Sequence, residues 1–84
     1  MDTNTAIKKR LLEICEKNGV TLTSLCLKSG ITPSTLFDFM SGKTKSPTVL
    51  TIKKLCDGIN MNLSEFFEAS YFIELEEDEW RSKI

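Results

Sequence analysis

The stretch ITPSTLFDFMSGKTKSP, residues 31–47, places Lys43, Thr44 and Lys45 directly after Ser41 and Gly42. Two ammonium groups flanking a short side chain suit phosphate oxygens, the lysines by neutralising charge and Thr44 by letting the backbone approach. A solvated turn has the same composition. The SGKT run also resembles the end of a nucleotide-binding phosphate loop. Such a loop needs a glycine five residues before its second glycine, a strand before it and a helix directly after. Position 37 is Phe37 and the run leads into Pro47, so no nucleotide is expected.

Other reactive side chains are sparse. Cys15, Cys26 and Cys56 are three widely spaced cysteines in a chain without histidine. They fall among apolar residues at helical spacing, which points to buried free thiols rather than a disulfide or a metal cluster. Lack of histidine removes the commonest general base and any Ser-His or Cys-His pair. No catalytic residues, metal or cofactor are expected.

At 84 residues the chain holds one small domain, so function must sit on a surface or at an interface between copies. The net charge of −1 hides an asymmetry. Residues 1–65 carry nine basic and six acidic side chains, whereas residues 66–84 carry two basic and six acidic. A mildly basic body with an acidic tail is compatible with a nucleic-acid partner despite the overall charge. The polar start, MDTNTAIKKR, lacks a secretory signal core, and no apolar run reaches membrane-spanning length. A cytoplasmic protein with no membrane association is expected.

The punctuation predicts an all-α, compact five-helix fold. Ile7, Leu11, Ile14 and Cys15 recur at helical spacing before Asn18-Gly19, giving a helix over 5–18. Thr21 caps a second helix over 22–29, with Leu25 and Cys26 inward and Gly30 turning the chain. Thr32-Pro33 opens a third over 33–41, burying Leu36 and Phe39. Thr48 caps a fourth over 48–59, with Val49, Ile52, Leu55, Cys56 and Ile59 on one face. Asn62 and Glu65 have capping-box spacing for a fifth over 63–68, with Leu63, Phe66 and Phe67 toward the core. Residues 1–68 then form the domain and 69–84 a C-terminal extension.

The second and third helices, joined by a short glycine turn, form a candidate helix-turn-helix. In that arrangement one helix crosses the DNA backbone and the next puts its N-terminal residues into the major groove. Thr21, Leu25, Cys26 at a small-residue position, Gly30, Ile31, Thr32, the STL of 34–36, Phe39, GKTKSP and the closing NLSEFF carry a wider likeness. Over residues 5–68 the chain resembles the lambda-repressor-like domain of the Cro and phage-repressor type, the Xre-like helix-turn-helix family. That resemblance implies a transcriptional regulator, usually a repressor, bound as a homodimer to a near-palindromic operator in double-stranded DNA. It assigns base contacts to Pro33, Ser34, Phe37 and Asp38, and phosphate contacts to Thr21, Thr32, Ser41, Lys43, Thr44 and Lys45.

Departures from the pattern carry expectations of their own. Leu22 stands where many members have glutamine. Pro33, Phe37 and Asp38 replace the glutamine or arginine forks that discriminate bases by about 1–3 kcal/mol each, so shape readout gains weight. Cys15 and Met40 stand where many members pair an arginine with a glutamate, and an apolar contact between them is expected instead. Residues 66–84 hold five of the seven aromatic side chains. Tyr71, Phe72, Ile73 and Trp80 can form a dimer interface, fold back on the domain, or dock another protein. The last option supports a second function class, a protein-interaction module of antitoxin-like or adaptor type.

Overall fold

The computed structural model describes residues 1–75. Its elements are α1 (Thr3–Asn18), α2 (Leu22–Ser29), α3 (Pro33–Met40), α4 (Val49–Asp57), α5 (Leu63–Phe66) and a 3-10 turn, η1 (Ser70–Phe72). Every element among the described residues is helical, as the sequence predicts.

Each boundary has a local cause. Asp2 caps α1 by accepting from the Thr5 amide at 2.8 Å, so the helix starts two residues before the predicted Thr5. The same amide holds the Asp2 carboxyl below its ordinary range. Gly19 closes α1 in the left-handed conformation, φ 63°. The third helix stops at Met40 rather than Ser41, which is its C-cap. Thr48 caps α4 as the sequence predicts, accepting from the Thr51 amide at 3.1 Å, and the helix proper begins at Val49.

The fourth helix ends at Asp57, short of the predicted Ile59. There the Ile59 and Met61 amides both turn back to the Cys56 carbonyl, with Asn60 at φ 55° making the reversal. The predicted capping box is present at α5, where the Asn62 side chain meets the Glu65 amide and the Glu65 side chain meets the Asn62 amide. That helix is a single turn and does not continue to Glu68. The Arg10 guanidinium donates to the Glu65 and Phe66 carbonyls, both at 2.6 Å, and takes over acceptors that further helical turns would have used.

The second helix lies at the centre, packed on α1, α3 and α4. Ile7, Leu11, Ile14, Leu25, Leu36, Phe39, Ile52, Leu55 and Phe66 form one core with the three cysteines. No polar or charged residue among the described ones is buried. Two predicted core positions differ. Val49 is 70% exposed although it shares helical spacing with Ile52 and Cys56, because it stands in the first turn of α4, ahead of the buried stretch from Ile52 to Cys56. Phe67 is 40% exposed, though its ring meets those of Phe66 and Phe72 edge-on at 4.8 and 5.1 Å. Cys15 is buried and Met40 packs half-buried against the same core. The cysteines are free, and burial raises all three thiol pKa values. The described residues offer no group of side chains able to hold a metal ion.

Candidate nucleic-acid interface

The geometry begins with two helices and the turn between them. Thr21 accepts from the Ser24 amide at 3.0 Å, which fixes the start of α2 and leaves the hydroxyl proton available. At the other end, Gly30 adopts φ 71°, and Ile31 donates back to the Cys26 carbonyl at 2.9 Å. Only the backbone conformation demands glycine here, because an added Cβ would meet nothing within 4 Å. Thr32 and Pro33 then open α3. Thr32 occupies the N-cap position of α3, but its side chain makes no cap bond, so its exposed hydroxyl is uncommitted.

Helical spacing divides α3 into two faces. Leu36 and Phe39, 1% and 2% exposed, anchor it in the core. Ser34, Phe37 and Asp38, at i, i+3 and i+4, share the other face. Ser34 is exposed, Phe37 is 43% exposed and Asp38 is half-buried, as is Pro33. This face presents a hydroxyl, an aromatic ring and a carboxylate, groups that can meet base edges and a thymine methyl.

The lysine loop is tied to α3 through a single acceptor. The Asp38 carbonyl receives the Lys43 amide at 2.8 Å, the Thr44 amide at 3.3 Å and the Ser41 hydroxyl at 3.2 Å. Gly42 permits this by taking φ 87°. Ser41 is therefore already engaged, and the Lys43 and Thr44 amides are committed inward. What the loop offers outward is side chains: Lys43, Thr44 and Lys45 are exposed, and neither lysine is ion-paired to a described residue. Beside it runs an open groove between α3 and the start of α4, with Thr35, Thr44, Lys45, Thr48 and Thr51 in its walls.

A family model for the Cro/C1-type HTH DNA-binding domain matches residues 10–70. The chain belongs to the Cro/C1-type family. Comparison with curated proteins and with solved structures returns no match. The all-helical fold is that of a Cro/C1-type DNA-binding domain, and α2 and α3 are its helix-turn-helix.

Two residues beside the helix-turn-helix of this Cro/C1-type domain, Asn4 and Lys8, escaped sequence reasoning, and both precede the matched region. Ser46 donates to the Asn4 side-chain oxygen at 2.6 Å, and the Lys8 ammonium lies 5.3 Å from the centre of the Phe39 ring. Asn4 and Lys8 are one turn apart on α1 and face the end of α3 and its loop. Their spacing is visible in the sequence, but nothing local reveals that Asn4 meets a residue 42 positions away.

The proposed partner-binding residues separate. Tyr71 and Phe72 pack on their own chain, Tyr71 under the Lys9 ammonium at 4.5 Å and Phe72 against Phe67. Ile73 is 85% exposed. Trp80 lies outside the described residues. No helix among the described residues is long and apolar enough to cross a membrane.

Proposed function

We propose that the protein is a sequence-specific, double-stranded DNA-binding transcriptional regulator of the cytoplasm. It acts as a repressor, a homodimer on a near-palindromic operator, with α3 in the major groove and the lysine loop on flanking phosphates. The observation that carries this reading is the coupling at Asp38. Its side chain belongs to the outward face of α3, while its carbonyl collects the loop that presents Lys43 and Lys45. The outward face of α3 and the lysine loop are thus joined through one residue, which supports their acting together on one duplex. Thr21 and Thr32, at the starts of α2 and α3, supply hydroxyls for the backbone on either side.

The length of α3 supports a dimer. Eight residues of helix span about 12 Å, enough for only a few base pairs, and two domains on half-sites one helical turn apart raise affinity and specificity together. Repression then needs only occupancy of the operator. No enzyme activity or cofactor enters this reading.

The test is selection from a random-sequence duplex pool at moderate salt, followed by sequencing of what the protein retains. An enriched near-palindrome with half-site centres about ten base pairs apart is the expected result. Absence of binding even at low salt would overturn the reading and direct attention to Phe67 and Ile73, exposed apolar groups suited to a protein partner.

A further inference from the structure

We propose that Asn4 is a positioning residue for DNA binding: through Ser46 it fixes the far end of the lysine loop and so presets Lys43 and Lys45 for phosphate. The inference rests on the reading of that loop as a phosphate contact. It extends the interface to the first turn of α1, which lies outside the region matched to the Cro/C1-type family.

The loop has two anchors. Its near end is held by the Asp38 carbonyl, which takes two amides and the Ser41 hydroxyl. Its far end is Ser46, whose hydroxyl donates to Asn4 at 2.6 Å. Ser46 precedes Pro47, so its backbone is restricted to extended conformations, and Pro47 has a fixed φ. The hydrogen bond therefore locates a stiff segment. Asn4 is itself well placed, because Asp2 caps the turn that carries it, accepting from Thr5 and Ala6. One turn on, Lys8 over Phe39 joins the same stretch of α1 to the end of α3.

The Ser46–Asn4 bond is solvent-exposed, and an exposed hydrogen bond adds little to fold stability. Its effect is on the loop. With both ends tethered, Lys43, Thr44 and Lys45 meet the backbone already ordered; with one end loose, ordering is deferred to the binding step and weakens it. The effect is independent of base sequence, since phosphate contacts carry none.

The test uses the full chain and five variants: Asn4→Ala, Ser46→Ala, the double variant, Ser46→Thr, and Lys43→Ala/Lys45→Ala. Binding to a labelled random-sequence duplex and to the selected duplex is followed by anisotropy at several salt concentrations, with thermal unfolding in parallel. Asn4→Ala and Ser46→Ala should each weaken both duplexes by the same factor, about two- to tenfold, the range of one hydrogen bond. The double variant should bind no worse than either single one, Ser46→Thr should bind like the wild type, and the salt slope should be unchanged because no charge is removed. Ser46→Ala probes the contact from the loop side should Asn4→Ala disturb α1. Wild-type binding by both single variants alongside a weakened lysine variant would overturn the proposal and leave the phosphate reading intact, as would additive losses. A silent lysine variant would overturn both.

Discussion

The Tyr71 hydroxyl donates to the Glu13 carboxylate at 2.5 Å, joining residues 58 apart in the chain and clasping η1 to α1. Burial first, then this bond and the charge of Glu13, push the phenol up to about 12 from its ordinary 10. A raised folded-state pKa means the stabilisation is complete below the unfolded value and is lost as pH climbs through the folded one. Tyr71→Phe keeps the ring under Lys9 and should cost about 0.5–1.5 kcal/mol near neutral pH. That gap, read from urea denaturation of both proteins, should be steady up to about pH 9 and close between about pH 10 and 12. A gap that persists at the alkaline end would show that the phenol does not keep its proton on folding.

Arg10 is the other half of the clasp. Its guanidinium donates to the Glu65 and Phe66 carbonyls while one nitrogen lies 3.9 Å from Glu13. The planar fork reaches two carbonyls at once, and a lysine ammonium does not match that geometry. Arg10→Lys should therefore cost about 1.5–3 kcal/mol, the value of a charge-assisted bond. Amide exchange should accelerate at Phe66 and Phe67 in particular. A destabilisation without local exchange near α5 would place the effect of Arg10 elsewhere.

Much of this was legible because it is local. Thr21, Gly30, the Asn62–Glu65 box and the inward set of Leu36, Phe39, Leu55 and Phe66 follow from residue types at fixed spacing, and the structure bears each out. What escaped is either a helix-end effect or a distant contact. Periodicity put Val49 inward, but a first-turn residue has no preceding turn to hold it against the core. The capping box predicts α5 as far as Glu68, since nothing nearby announces that Arg10 will occupy its carbonyls. The commitment of Ser41 to Asp38 and the Ser46–Asn4 bond depend on how the loop folds, which residue types leave open. Tyr71 and Phe72 kept three readings at sequence level, since aromatic content alone does not say which surface covers a ring.

Gly58 shows how closely α2 and α4 approach. A Cβ built there would lie 2.2 Å from the Ser29 hydroxyl oxygen and 3.3 Å from its Cβ, although φ at this position is an ordinary −63°. Ser29 meanwhile buries that hydroxyl without a partner. Ser29→Ala should be neutral or stabilising, because an orphaned polar atom is removed. Gly58→Ala should cost about 1–3 kcal/mol by overpacking, and less than half of that in the Ser29→Ala background. Equal costs in the two backgrounds, measured by thermal unfolding, would locate the clash outside Ser29.

The interface itself is tested by separating charge from readout. Lys43→Ala and Lys45→Ala should weaken every duplex alike, each lowering the slope of log affinity against log salt by about 0.9, the value of one phosphate contact. Ser34→Ala and Phe37→Ala should instead alter preference at one or two positions of the selected site, by about 1 kcal/mol or somewhat more. Asp38 distinguishes two roles. If its carboxylate accepts from cytosine, Asp38→Asn should lose discrimination at one base position while gaining affinity for random duplex, since a negative charge facing phosphate is removed. An equal gain on selected and random duplexes would reduce Asp38 to a repulsive charge, leaving Ser34 and Phe37 as the reading residues of α3.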